Sequence, residues 1–498
     1  MIRLLSRNDR SLFGSFHYPY GIVEHSMDQE ALDIALGRND ISLSAGTLEG
    51  AERVVGLAYQ AASYLHEVRH FYDQFGTLGG ISLFSSFLEC LKDFDAAARR
   101  LAIAGDTWPW PVSQVAHNPT SPMEARRFVR SVRAFRTASM GLLGSYHPLE
   151  VDGHVDGIIA PAITVLGHEV HVAVLRFVSV VDGKQVPKSF LHPLGLEALF
   201  ESNAHALSRT FVEQTFPKAL AAILTQDVMR IEGEAGRQPV FSQRLTSHMI
   251  LDRLVSKYLR GKGREKFERD TVIGIADEAL SLSSIGIEHV SEKDTKVYIR
   301  EPSIYIQRLL DNADIEDLVA GRVPASERVN EAYKGLLATL EKGGDWDTVH
   351  DDGSLLSAIR IWESYVAQHF TVPLLRRRIA TDHKAFRSFV GFADLLREIR
   401  PPIMSMGGHI DFSLPDAVRS AWARVLHAGE IMLSVAEDGD PHCPRAHRTV
   451  PGLSNVTFAT EHHCNDHIVL GCGRFDGSTV EMTPCMFVDM LQRLRLLL

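Results

Sequence analysis

The chain has few cysteines, no concentrated block of basic residues and no long uninterrupted hydrophobic run. Its 498 residues include five cysteines, an odd and small number that does not build a disulfide framework. The formal net charge is -10 at pH 7, and without a basic block we expect no nucleic-acid partner. The most apolar stretch, residues 158–181, is interrupted by Gly167, His168, Glu169 and Arg176, which excludes a membrane-spanning helix. The apolar run at the amino terminus is too short for a signal peptide, so we expect a cytoplasmic protein without a membrane partner.

Helical periodicity is what the sequence has in abundance. Its composition, 45% hydrophobic and 23% charged, is that of an ordinary globular protein. The spacing of apolar residues predicts helices at 27–37, 50–75, 81–104, 122–143, 194–214, 217–231, 241–261, 266–283, 326–342, 354–371, 380–398, 414–435 and 484–498. Residues 157–182 differ, because two runs rich in β-branched residues predict the strands of a β-hairpin. The predicted fold class is therefore mainly α (α+β).

One short motif, His66-Glu67-Val68-Arg69-His70, lies near the end of the predicted helix at 50–75. Residues i and i+4 share a helix face, so two imidazoles at this spacing can converge on one tetrahedral zinc, with Zn–N distances of about 2.0–2.1 Å. Glu67 could then take the proton of a zinc-bound water, whose pKa the metal lowers to about 7. The motif predicts His66 and His70 as zinc ligands and Glu67 as the general base. The alternative is a solvated face near the helix end, where the helix dipole would favour His70.

A catalytic zinc site usually has three protein ligands and one open position, so a third ligand must come from elsewhere. The predicted helix at 194–214 carries Glu197, Glu201 and His205 on one stripe, four residues apart, in an otherwise apolar sequence. Each is a candidate for the third ligand, and the alternative is a set of surface contacts between neighbouring turns. Asp73, one turn after His70, could orient that imidazole or could be a surface acid.

The motif HEVRH, followed later by Glu201-Ser202-Asn203-Ala204, resembles the gluzincin-type zinc metallopeptidases, in which a second helix supplies a Glu, often as E-x-x-A. The resemblance covers these two helices. It implies that His66, His70 and Glu201 are zinc ligands, that Glu67 is the catalytic base and that the reaction is peptide-bond hydrolysis. Arg69 places a charge inside the motif, where these families usually have an uncharged residue.

The resemblance gives an interpretation to each part of the chain. Residues 1–216 are predicted to be a zincin-like metallopeptidase domain with the β-hairpin, 217–435 a large helical domain, and 436–498 a small irregular α/β segment. The predicted function is a metallopeptidase with one catalytic Zn2+ and a protein or peptide substrate, and the helical region is a candidate surface for a regulatory protein partner. The alternatives are a catalytically inactive zincin-like protein and a helical interaction protein that acts as a binding scaffold.

Other polar residues have weaker claims to a role. Tyr146, His147 and His192 flank the hairpin and are candidates to stabilise an oxyanion, or are ordinary loop residues. The hairpin itself could offer an edge to an extended peptide, or could be fully covered. His168-Glu169-Val170-His171 has one residue too few, and on a strand its two histidines would face opposite sides and could not chelate one metal.

The segment 441–472 is rich in cysteine and histidine. A structural zinc could hold this irregular segment together, although the spacing matches no standard zinc ribbon or finger, and the alternative is free thiols and surface imidazoles. The candidate ligands are Cys443, His447, His462, His463, Cys464 and Cys472.

Overall fold

The computed structural model describes the chain in ranges separated by gaps. The described residues are 14–17, 20–25, 29–37, 48–106, 108, 111–143, 149–152, 159–165, 168–181, 184–216, 243–289, 295–300, 302–405, 410–411, 414–436, 490–491 and 493–496. The predicted helix at 217–231, most of the one at 484–498 and the Cys/His-rich segment at 441–472 lie outside them.

Helices dominate the described residues, which confirms the predicted mainly α class. The α-helices are α1 (Gln29–Ala35), α2 (Leu48–Gly76), α3 (Leu78–Ala104), α4 (Met123–Leu143), α5 (Leu196–Thr215), α6 (Gln243–Gly261), α7 (Asp270–Leu282), α8 (Pro302–Asn312), α9 (Ile315–Val319), α10 (Glu327–Leu340), α11 (Leu355–Val366), α12 (Val372–Ala380), α13 (Lys384–Arg387), α14 (Phe389–Glu398) and α15 (Asp416–Val435). Short 3-10 turns cover Val112–His117 and Trp346–Thr348, and a π-helical turn, Ala367–Thr371, joins α11 to α12. No helix in these ranges has both the length and the apolar character required to cross a bilayer.

Strands form three small sheets. They are β1 (Gly14–His17), β2 (Ile22–His25), β3 (Leu149–Asp152), β4 (Ile159–Val165), β5 (His168–Val181), β6 (Lys184–Pro193), β7 (Ser284–His289), β8 (Thr295–Arg300), β9 (Ile403–Ser405) and β10 (Ile410–Asp411). The sheet orders are β1-β2-β9-β10, β3-β6-β5-β4 and β7-β8, and the pairing of β2 with β9 is parallel. The two strands of the predicted hairpin are β4 and β5, which pair antiparallel and belong to the four-stranded sheet.

Several elements after residue 217 were not predicted, among them α8, α9 and the β9-β10 pair, and two differences have a local cause. The first is the β7-β8 hairpin, which lies between the helices predicted at 266–283 and 326–342, where no element was predicted. Its alternating Ile285 and Ile287 are a period-two signal that short length made easy to miss. The second is the predicted helix at 380–398, which breaks into the end of α12, α13 and α14. Asp382 and His383 adopt left-handed backbone angles, with φ of 48° and 64°, and a continuous helix cannot contain them.

Helix α2 lies at the centre of the molecule. It packs against α3, α5 and α12, and its apolar stripe, which includes Ala58, Ala61, Leu65, Val68 and Phe71, is fully buried. Most buried apolar residues in the described ranges form one contiguous cluster that runs from Phe16 to Leu496 and draws on both sides of residue 217, and Val329, Tyr333 and Leu375 form a small second cluster. The predicted domain boundaries at 216 and 435 stay predictions.

The turn after α2 is unusually tight. Thr77 caps α3 by accepting a hydrogen bond from the Gly80 amide at 3.2 Å, and its hydroxyl donates to the Asp73 carbonyl at 2.5 Å. A Cβ at Gly80 would lie 2.4 Å from backbone atoms of Asp73 and Gln74, so only glycine fits. This close contact fixes the last turn of α2, which follows the motif, against α3.

Candidate metal centre

Helices α2 and α5 bring three potential ligands together. His66 and His70 lie one turn apart on α2, with their ring centroids 4.7 Å apart and their planes perpendicular. Glu201 approaches them from α5: its Oε2 is 3.1 Å from His66 Nε2, and its Oε1 is 3.6 Å from His70 Nε2. One ligand atom from each of the three lies within 4.8 Å of the others. The two helices therefore hold two imidazoles and a carboxylate around a single point.

The packing of α5 explains why it can approach α2. Ser202, Asn203 and Ala204, which follow Glu201, are small or short side chains that are buried almost completely. Small residues at a helix contact let two backbones come close. The site is covered on the His70 side, where the Phe16 and Phe200 rings lie 6.0 and 6.4 Å from the imidazole.

Exposure differs across the three candidate ligands. The His70 side chain is 4% exposed, whereas His66 is 15% and Glu201 25% exposed. The cluster is thus closed at its inner end and open to solvent at the end formed by His66 and Glu201.

Carboxylates surround the buried imidazole of His70. Burial by itself lowers its pKa, but the charge and hydrogen bond of Glu201, with the charges of Glu67 and Asp73, outweigh burial and raise the pKa above its ordinary value. The environment therefore favours a positive charge at this point of the structure, as a proton or as a metal ion.

Glu67 is also buried, with 8% of its surface exposed. It follows His66 directly on α2 and lies close enough to influence His70 electrostatically. Its carboxylate is therefore one of the negative charges that surround the imidazole of His70.

Arg69 points away from the ligand cluster. It is fully buried, and its Nε donates to Asp73 Oδ1 at 3.0 Å and its Nη1 to the Phe386 carbonyl at 2.8 Å. Its Nη2 lies 3.7 Å from Asp277 Oδ1 on α7. The charge that Arg69 adds to the motif is therefore balanced by two carboxylates and does not oppose a metal at the histidines.

The remaining sequence candidates take different places. Glu197 is exposed and His205 is partly buried, and neither belongs to the cluster. Asp73 is neither a surface acid nor a direct partner of His70: in the described part of the chain its side chain bonds Arg69 and Asn203. Sequence reasoning missed Asn203, although a polar residue in an otherwise buried helix was a signal for it.

The three side chains of the cluster do not include the candidates near the β-hairpin. Tyr146 and His147 lie outside the described residues, and His192 lies on β6. His168 and His171 lie on β5, as the strand argument against chelation requires. Within the described ranges, the group of three metal-binding side chains is the one formed by His66, His70 and Glu201.

Comparison with protein-family models, with curated proteins and with solved structures finds no match. The function of the chain must therefore be argued from its own site.

Proposed function

We propose that the protein is a zinc-dependent metallopeptidase in which His66, His70 and Glu201 hold one zinc ion and Glu67 is the general base. The observation that carries the proposal is the convergence of the three ligand atoms within 4.8 Å. Two histidines and one glutamate are a ligand set of catalytic zinc sites, which leave a fourth position for water or substrate. Solvent access on the side of His66 and Glu201 agrees with that requirement.

The observed separations suit a zinc ion. With metal–ligand bonds of 2.0–2.2 Å, two ligands of a tetrahedral zinc lie roughly 3.3 Å apart. The distances from Glu201 to His66 and to His70 are 3.1 and 3.6 Å. These two distances involve different oxygens of Glu201, and ligand atoms taken one per residue lie within 4.8 Å of one another, so one bound zinc would draw the three side chains closer together.

The zinc ion, Glu67 and the residues that cover His70 would each have a separate role in the reaction. A bound zinc would supply a Lewis acid that lowers the pKa of its water to about 7. Glu67 would accept a proton from the attacking water and pass it to the leaving nitrogen of the peptide bond. The buried side of His70, lined by Phe16 and Phe200, would exclude bulk water from behind the site.

Glu67 is also what favours an enzyme over the alternatives. An inactive zincin-like protein or a helical scaffold needs the histidines at most, and has no use for a general base directly after the first of them. We further propose a protein or peptide substrate, a cytoplasmic location and a helical region after residue 217 that is available to a regulatory partner.

The proposal is tested by measuring zinc content and peptide hydrolysis on the same preparations. We expect one zinc per chain in the wild type, lost in His66→Ala and Glu201→Ala but kept in Glu197→Ala, a matched control one turn earlier on α5. Glu67→Gln should keep zinc and lose about 10²–10⁴-fold in cleavage of unfolded casein, as removal of a general base does.

Each departure from this result has a distinct meaning. A zinc-loaded wild type that cleaves no protein or peptide would indicate an inactive zincin-like binding protein. A metal-free wild type, prepared with excess zinc, would indicate a helical scaffold. Full activity in Glu67→Gln would remove Glu67 from the role of base.

A further inference from the structure

A buried hydrogen bond joins α2 to α5 close to the ligand cluster. Asn203 Nδ2 donates to both carboxylate oxygens of Asp73, each at 3.1 Å, and both side chains are fully buried. Asp73 lies three residues after His70, and Asn203 lies two residues after Glu201. The bond therefore connects the two ligand-bearing helices about one turn from the ligands.

Other buried residues also hold the Asp73 carboxylate in place. Arg69 donates to it from Nε at 3.0 Å and is anchored to the Phe386 carbonyl at 2.8 Å. Beyond Arg69, Asp277 on α7 accepts hydrogen bonds from Arg378 at 2.8 Å and from Arg387 at 3.0 Å. These contacts fix the position of the Asp73 carboxylate, which accepts the hydrogen bonds of Asn203 on α5.

The charges of this buried network balance. Three guanidiniums face three carboxylates, and Glu278 accepts from Arg387 at 2.5 Å. No further ion is needed for neutrality of the network as a whole, although the Asp73 carboxylate helps to raise the pKa of His70. What it contributes is a defined geometry, because charge-assisted hydrogen bonds are directional.

The apolar part of the α2–α5 contact does not define that geometry by itself. Ala204 is small and buried, and apolar contacts are non-directional, so they constrain the register of α5 less sharply than a hydrogen bond does. A displacement of about 1 Å is enough to spoil a site that needs three ligands at once. A directional bond beside the ligand removes that freedom.

The Asn203 amide is used on one side only. Among the described residues, its buried Oδ1 accepts no hydrogen bond. Its Nδ2 donates to both oxygens of Asp73, so the side chain is tied to α2 and to no other described side chain.

We propose that Asn203 is a positioning residue, which through Asp73 sets the register of α5 on α2 so that Glu201 meets His66 and His70. The inference rests on the proposed metal site and adds a residue to it. Asn203 does not touch the metal or the substrate; it acts through the placement of the Glu201 carboxylate. Changes to partners of this kind typically weaken metal binding 10–100-fold.

The test compares three variants of the full chain. Asn203→Leu has a similar shape and no hydrogen bond, Asn203→Asp sets two carboxylates against each other, and the exchange Asp73→Asn with Asn203→Asp restores one amide and one acid across the same gap. Tyr333→Phe is the matched control, because it removes a buried hydrogen bond to Ser281 (2.7 Å) far from the ligands. For each, zinc affinity is measured by chelator competition, the visible spectrum is recorded with Co2+, and thermal unfolding is followed in EDTA.

We expect about 10–100-fold weaker zinc binding and an altered Co2+ spectrum in both single variants at position 203. The exchange should bind zinc more tightly than Asn203→Asp, because it removes the facing carboxylates, but less tightly than the wild type, because it takes the carboxylate at position 73 from Arg69. Tyr333→Phe should lower thermal stability without changing affinity or spectrum. If Asn203→Asp does not fold, Asn203→Leu still decides the question. Wild-type affinity in Asn203→Leu, or an affinity loss in Tyr333→Phe of the same size, would overturn the inference alone. A wild type that binds no zinc would overturn the proposed function and this inference with it.

Discussion

Asp277 holds the centre of the buried charge network, and its replacement by Asn should be among the most destabilising conservative changes in the chain. Its carboxylate accepts hydrogen bonds from Arg378 Nη1 at 2.9 and 2.8 Å and from Arg387 Nε at 3.0 Å. Arg69 Nη2 lies 3.7 Å away. All four side chains are almost completely buried. With Asn at 277, three guanidiniums would share two carboxylates inside the protein.

The expected loss is about 3–5 kcal/mol of unfolding free energy, because a buried ion pair that loses one partner leaves an uncompensated charge out of water. The matched control is Asp394→Asn on α14. Asp394 also pairs with an arginine, Arg397, at 3.0 Å, but both side chains are 51% exposed. Exposed pairs of this kind contribute about 0.2–1 kcal/mol. Urea unfolding followed by tryptophan fluorescence compares the two variants with the wild type.

The pH dependence of this loss has a defined sign. Burial alone would raise the pKa of Asp277, but Arg378, Arg387 and Arg69 outweigh burial and hold the pKa well below its ordinary value of 3.8. A carboxyl whose pKa is lower in the folded state stabilises the protein above its unfolded pKa, and this stabilisation disappears as the pH falls through the folded pKa. The difference between wild type and Asp277→Asn should therefore be constant from pH 7 to about 5 and narrow below about 4.

Two results would refute this reasoning. A loss below about 1 kcal/mol at pH 7, equal to that of Asp394→Asn, would show that the buried network relaxes or admits water freely. A difference that stays unchanged from pH 7 to pH 3 would show that Asp277 is not ionised against its arginines in the folded protein.

Two further predictions concern the turn after α2 and the metal. Gly80→Ala should destabilise the chain by about 1–3 kcal/mol or more in the same urea assay, because its Cβ would lie 2.4 Å from the backbone of Asp73 and Gln74. The control is Gly105→Ala at the C-cap of α3, where φ is 73° and no atom lies near the added Cβ. It measures the cost of backbone strain without a steric clash. Unchanged stability in Gly80→Ala would mean that α2 and α3 are less close than described. Zinc at about 100 times its Kd should raise the unfolding free energy of the wild type by about 2.7 kcal/mol above the value measured in EDTA. An equal increase in Glu201→Ala would show that the metal binds at another site.

Local periodicity made much of the fold predictable. The bounds of α2, α3, α4 and α5 agree closely with the sequence prediction, because each has a buried stripe at three- and four-residue steps. The predictions failed where distant residues decide the backbone. His383 is buried with its ring nitrogens 3.2 Å from Arg378 and 2.7 Å from Asn330, and these contacts hold the left-handed turn that breaks the helix predicted at 380–398.

The role of Arg69 was equally out of reach for the sequence. A charged residue inside the motif suggested a conflict with a metal, since the spacing alone does not say which side of α2 the guanidinium takes. Its partners Phe386 and Asp277 lie more than 200 residues further along the chain. Contacts between residues so far apart in the chain produce no periodic pattern in the sequence. Only the folded structure therefore shows that the charge of Arg69 is neutralised.

The sequence by itself determined that His66 and His70 share a face of α2 and that Glu67 follows the first of them, because the helix repeat of 3.6 residues fixes both relations. It also determined that Glu197, Glu201 and His205 share a stripe of α5. It left open which of Glu197, Glu201 and His205 contacts the histidines. The three lie on successive turns of one helix face, and the sequence does not show which turn packs against a neighbouring helix. Tertiary packing decided this: the small residues after Glu201 and the bond from Asn203 to Asp73 bring that turn of α5 onto α2, while Glu197 stays exposed.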